Sequence, residues 1–101
     1  METKNSHINE LSRAFGLFQD PLRLRLFVLL VNMGKGGRRL CVSELAEKLG
    51  GSLSNTSHQL HKLELAGIVE RVRRGRMVCY QFRRTPFNMK MYSFIRSTLE
   101  I

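Results

Sequence analysis

Ser43-Glu-Leu-Ala-Glu-Lys-Leu-Gly-Gly-Ser-Leu-Ser-Asn-Thr-Ser-His-Gln-Leu-His-Lys-Leu-Glu-Leu-Ala-Gly67 carries two helical periodicities separated by a glycine pair. In the first, Leu45, Ala46 and Leu49 give the inward face, Ser43 is the expected cap, and Gly50-Gly51 end the helix. Ser52 is then the expected cap of a second helix. At 100° per residue, Leu53, Thr56, Leu60 and Leu63 fall in one sector, while Ser54, Asn55, His58, His61 and Lys62 fall opposite. Gly67 stops this helix. Two short helices on a glycine turn, the second polar outward, form a helix-turn-helix pattern. A merely solvated face would favour Lys or Glu, which are better helix formers than Ser54, Asn55, Ser57 and His58. Short hydrogen-bonding side chains instead suit a helix lying close against base edges.

The segment after the pair strengthens this reading. Ile68-Val-Glu-Arg-Val-Arg-Arg74 and Met77-Val-Cys-Tyr-Gln-Phe82 alternate as two strands around a tight Gly75-Arg76 turn. From Arg71 to Arg84 there are six arginines and no acid. Charges on edge strands guard against aggregation, but that role does not call for so one-sided a run. Arg73, Arg74 and Arg76, at the hairpin tip, are the expected phosphate or minor-groove contacts, which position a protein more than they specify sequence.

Toward the N-terminus, Ile8, Leu11, Phe15 and Phe18 lie on one stripe of a helix over roughly residues 6 to 19. Asp20-Pro21 restarts the chain as N-cap and first helical residue. The following Leu22 to Met33 segment reads as a core helix buried on most sides, ended by Gly34-Lys-Gly-Gly37; Arg38 to Val42 has room only for a short strand. A last helix opens at Thr85-Pro86 and carries Phe87, Met91, Phe94, Ile95 and Leu99 at helical spacing. The expected organisation is one domain over residues 1–101, with residues 1–19 and 85–101 as dimerisation helices. Their two apolar stripes are more than a 101-residue monomer easily covers.

Composition bounds the function. Lys and Arg number 17 against 8 Asp and Glu, for a formal net charge of +9. That excess points to a polyanionic partner, double-stranded DNA first. Apolar content of 43% lets the chain fill a core. The longest apolar run, Leu26 to Val31, is too short for a membrane span, and the polar start has no secretory apolar region, so a cytoplasmic protein is expected. Two cysteines, Cys41 and Cys79, cannot make a disulfide framework. None of the acids forms a paired or metal-binding motif, which argues against an enzyme acting on nucleic acid. His58 and His61 share a helical face, but two imidazoles alone are not a metal site, and DNA contact suits them better than a metal. No cofactor is implied.

Asp20-Pro-Leu-Arg-Leu-Arg25, Leu40-Cys-Val-Ser-Glu-Leu45, Ser52-Leu-Ser-Asn-Thr-Ser-His58, Leu65-Ala-Gly-Ile-Val69 and Gly75-Arg-Met-Val-Cys-Tyr80, in this order and spacing, resemble the ArsR/SmtB family of winged-helix repressors. The resemblance covers about residues 15 to 84. It implies a mainly α winged helix-turn-helix with a small antiparallel β-hairpin wing: five helices, a short strand before the third, the hairpin before the fifth. It also implies a homodimer through the first and last helices, and repression at an operator. In many members DNA release follows metal binding or cysteine oxidation. The metal sites do not carry over: the family's Cys-Val-Cys is here Cys41-Val42-Ser43, and residues 85–101 hold no histidine or aspartate. What is expected is a sequence-specific repressor without an intact metal site. The alternatives are an architectural, nonspecific DNA-binding protein, or a repressor responding to oxidation of Cys41 with Cys79, which the winged-helix architecture can bring close.

Overall fold

A computed structural model describes residues 5–34 and 38–99. In chain order it has α1 (Asn5–Leu17), α2 (Pro21–Met33), β1 (Leu40–Cys41), α3 (Val42–Leu49), α4 (Leu53–Leu65), β2 (Val69–Arg74), β3 (Met77–Phe82) and α5 (Pro86–Leu99). This is the expected winged helix-turn-helix order. The Lys35-Gly36-Gly37 part of the expected stop after α2 lies outside the described residues.

Local chemistry sets the boundaries. Asp20 Oδ1 accepts from the Leu22 amide at 2.8 Å, with Pro21 at the first helical position. The Gly34 amide closes α2 on the Leu30 carbonyl at 2.8 Å. After α3, the Gly50 amide donates to Glu47 O (3.2 Å) and the Gly51 amide to Ala46 O (3.0 Å), with Gly50 at φ 67°. That is a Schellman stop, and it turns the chain into α4. Thr85 Oγ1 accepts from the Asn88 amide at 3.1 Å and so opens α5.

The three strands form one antiparallel sheet in the order β1-β3-β2. In the hairpin Val69 faces Phe82 and Arg74 faces Met77, so Gly75 (φ 62°) and Arg76 make a two-residue turn. On its other side β3 pairs with β1, Leu40 opposite Tyr80 and Cys41 opposite Cys79. The two cysteines form a disulfide, with Cα atoms 3.9 Å apart.

The core gathers on α2, whose Leu26, Phe27 and Leu30 are fully buried. Around the Phe27 ring sit Phe18 at 4.9 Å, Phe82 at 5.6 Å and Tyr92 at 6.3 Å between centroids, from the α1–α2 turn, β3 and α5. Leu45 of α3 and Leu60 and Leu63 of α4 join the same core. Asn88 supplies its polar tie: its Nδ2 donates to Gly67 O (3.0 Å) and Arg83 O (2.8 Å), holding α5 to both ends of the hairpin.

Four expectations need correction. The cap of α3 is Cys41, not Ser43, because the Glu44 carboxylate accepts from the Cys41 amide at 3.1 Å and starts the helix earlier. Leu53 is 58% exposed: as the first residue of α4 it projects beyond the edge of the core its sector faces. Helix α1 ends at Leu17, so Phe18 lies in the turn and packs on Phe27 rather than continuing the outer stripe. In α5, Met91 and Ile95 face the chain's own core and Phe87 packs against it, leaving Phe94 and Leu99 outside.

The position of Phe27 makes the fold testable. Phe27→Ala should lower stability by about 3–5 kcal/mol, read as a fall in the urea midpoint at unchanged slope. A loss below about 1 kcal/mol would show that the elements do not depend on that ring.

Candidate nucleic-acid interface

The outward residues of α4 stand where the periodicity puts them. Ser54, Asn55, Ser57, His58 and His61 are exposed, and Lys62 is half-buried. Ser52 Oγ accepts from the Asn55 amide at 3.1 Å, which fixes the first turn. Among the described residues, Ser54, Ser57 and His58 have no side-chain hydrogen bond within the chain. Their donors and acceptors face outward on a rigid helix.

Two of the expected contact residues are already engaged. His61 Nδ1 lies 3.3 Å from Glu64 Oε1, and Glu64 also lies 3.9 Å from Arg71 Nε on β2. These contacts join the end of α4 to the hairpin and leave His61 less free than His58. Asn55 Oδ1 accepts from Gln59 Nε2 at 3.4 Å, and Gln59 Oε1 accepts from Arg23 Nη1 of α2 at 2.9 Å. Sequence reasoning passed over Gln59 and Arg23. The available signal was the four-residue spacing of Asn55 and Gln59, which makes them neighbours on a helix.

At the wing, Arg73, Arg74 and Arg76 are exposed around the two-residue turn. Among the described residues no carboxylate lies within ion-pair distance of them. Each of these guanidiniums offers a planar fork of donors, the geometry that pairs with carboxylate or phosphate oxygens. The root of the wing is rigid. Cys79 is fully buried in the central strand and bonded to Cys41, the cap of α3. Beside it Tyr80 is buried, and its phenol is pushed above the ordinary value by desolvation first and then by Glu64, with Arg71 opposing.

A second feature lies away from α4's polar face. An open groove of about 970 Å³ runs between α1, the end of α4 and α5, lined by Leu11, Phe15, Leu65, Phe87, Met91 and Phe94 among others. Phe15 is 63% exposed, Phe94 65% and Leu65 74%. Among the described residues no three His, Cys, Asp or Glu side chains gather as a metal site. Likewise, no described helix is long and apolar enough to cross a membrane.

Comparison with known proteins matches residues 18–72 to the helix-turn-helix domain family. The cadmium resistance transcriptional regulatory protein CadC of Listeria innocua is 32% identical over 66 residues, 65% of this chain and 52% of that protein. The chain therefore spans about half the length of the curated relatives it matches. Among solved structures, the homodimeric winged helix-turn-helix domain Mb0332 of Mycobacterium bovis, a possible ArsR-family regulator, superposes with a TM-score of 0.77 at 19% identity, covering 99% of this chain and 87% of that one. HlyU of Vibrio cholerae superposes with a TM-score of 0.79 at 22% identity, covering 96% and 97%.

Proposed function

The chain belongs to the helix-turn-helix domain family, and from that premise we propose that it is a winged-helix regulator of the ArsR/SmtB type: homodimeric, sequence-specific in its DNA binding, and repressing by occluding a promoter. The observation that carries the reading is the unengaged polar face of α4 (Ser54, Ser57, His58) on a chain whose wing arginines have no acidic partner among the described residues. In this reading Asn55, Ser57 and His58 read base edges in the major groove. Ser54 and Lys62 hold the backbone, His61 lies at the margin, and Arg73, Arg74 and Arg76 clamp phosphates. The second copy packs against the α1–α5 groove, whose exposed Leu11, Phe15 and Phe94 form an apolar surface a lone chain would leave in water.

The Cys41–Cys79 pair supports a second reading, a repressor gated by thiol oxidation. The bond links the cap of α3 to the central strand of the wing, so making or breaking it acts on how the two parts of the interface are held. A peroxide is a sufficient oxidant: the two thiols lose two electrons and two protons, the disulfide forms, and the peroxide is reduced to water. The link to cadmium resistance in the names of the curated relatives is not carried over. Both sulfurs are joined to each other, and no third His, Cys, Asp or Glu converges on them among the described residues.

Three measurements test these readings. Replacing Arg74 and Arg76 together with Ala should weaken binding to specific and random duplexes alike and flatten the log–log salt dependence by about 0.9 per lost phosphate contact; an unchanged slope would take the wing out of the interface. Sedimentation at micromolar concentration should give a dimer that Phe15→Glu or Phe94→Glu dissociates, whereas a stable wild-type monomer would sink the dimer. Finally, operator affinity should differ between dithiothreitol-reduced and peroxide-oxidised protein, and the Cys41→Ser, Cys79→Ser double variant should lose that difference while still binding. Equal affinity of the two redox states would reduce the disulfide to a structural staple.

A further inference from the structure

Arg23 is donor-only, and it is held in place. Its Nε donates to the Leu17 carbonyl at 2.7 Å, and its Nη1 lies 3.5 Å from Asp20 Oδ2 and donates to Gln59 Oε1 at 2.9 Å. A guanidinium has no acceptor, so it dictates which end of the Gln59 amide turns toward it. The oxygen must face Arg23, and the nitrogen must face away. That nitrogen donates to Asn55 Oδ1, so the Asn55 amide is oriented in turn: oxygen inward toward Gln59, Nδ2 outward. Gln59 is 8% exposed and Arg23's side chain 14%, whereas Asn55 is exposed. The polarity of an outer-face side chain is thus set from behind, by residues that cannot themselves reach DNA.

We infer that Arg23 and Gln59 are positioning residues that make Asn55 a donor to a base edge, selecting guanine, whose N7 and O6 both accept. A free asparagine pairs best with adenine, using its oxygen and nitrogen together. Here the oxygen is committed inward. The inference rests on the reading of α4 as the base-facing helix, and it has a consequence no structural role would produce. In Gln59→Glu, the carboxylate accepts from Arg23 with one oxygen and turns another acceptor toward Asn55. The Asn55 amide must then turn over, presenting its oxygen to the amino group of cytosine or adenine.

The experiment is selection of preferred duplexes from a random pool, followed by competition among the four base pairs at each half-site position. It is run on the wild type, Asn55→Ala, Gln59→Glu and Gln59→Met, each checked for a cooperative thermal melt. Asn55→Ala should erase preference at one position and so locate its base. There the wild type should favour guanine by roughly 5- to 100-fold. Gln59→Glu should move the preference to cytosine or adenine, and Gln59→Met, of similar size without hydrogen bonds, should level it; if the Glu variant fails to fold, the Met variant alone decides. Guanine retained undiminished by the folded Gln59 variants would overturn the relay, as would an Asn55→Ala profile identical to wild type. Failure of the wild type to enrich any sequence would instead overturn the parent reading of a specific DNA-binding protein.

Discussion

The burial of one face of α2 underlies the rest of the structure. Leu26, Phe27 and Leu30 leave no surface to solvent, and onto them pack the turn from α1, the central strand of the wing, both helices of the helix-turn-helix and α5. The hydrophobic effect has no directional preference, so burial alone would not set the angle between α4 and the hairpin. Polar and covalent ties add that direction. Asn88 pins α5 to Gly67 and Arg83, Glu64 reaches back to Arg71, and the Cys41–Cys79 bond fastens the sheet to the start of α3. An apolar centre with polar ties at its rim leaves Ser54, Ser57 and His58, on the outward face of α4, without a side-chain hydrogen bond among the described residues.

That freedom has an electrostatic counterpart. Of the acids, Asp20, Glu44 and Glu64 sit in ion pairs with Arg23, Arg38 and Arg71 or, for Glu64, His61 as well. The neutralised positive charge therefore lies on α2, in the loop before β1 and within β2, away from the hairpin tip. The three tip arginines, Arg73, Arg74 and Arg76, have no acidic partner among the described residues, which leaves a local excess of positive charge at the end of the wing.

How much of this was legible in the sequence follows from how local each cause is. Asp20-Pro21, Ser52, Gly50 and Gly67 act on backbone within five residues, and the elements they bound are where the pattern puts them. At the start of α3 residue type points to serine, the stronger capping residue, while the deciding contact comes from Glu44, three residues after Cys41. Leu53 shows the limit of a helical wheel: its sector is inward, but at the first position of a helix there is no core beside it. The division of the α5 stripe, with Met91 and Ile95 inside and Phe94 outside, depends on how α5 lies across α2, and periodicity is silent on that. The polarity of Asn55 was equally hidden, since it begins at Arg23, 36 residues from Gln59 in the chain.

The most direct test of an interface built from α4 and the wing tip is an amide and side-chain NMR titration of the protein with its selected duplex. Resonances of Ser54 to Lys62, including the Asn55 side-chain NH₂, and of Arg73 to Arg76 should move on binding. Those of Phe27 and its ring partners should stay in place. Shifts confined to the groove between α1 and α5, with α4 and the wing tip unmoved, would contradict it.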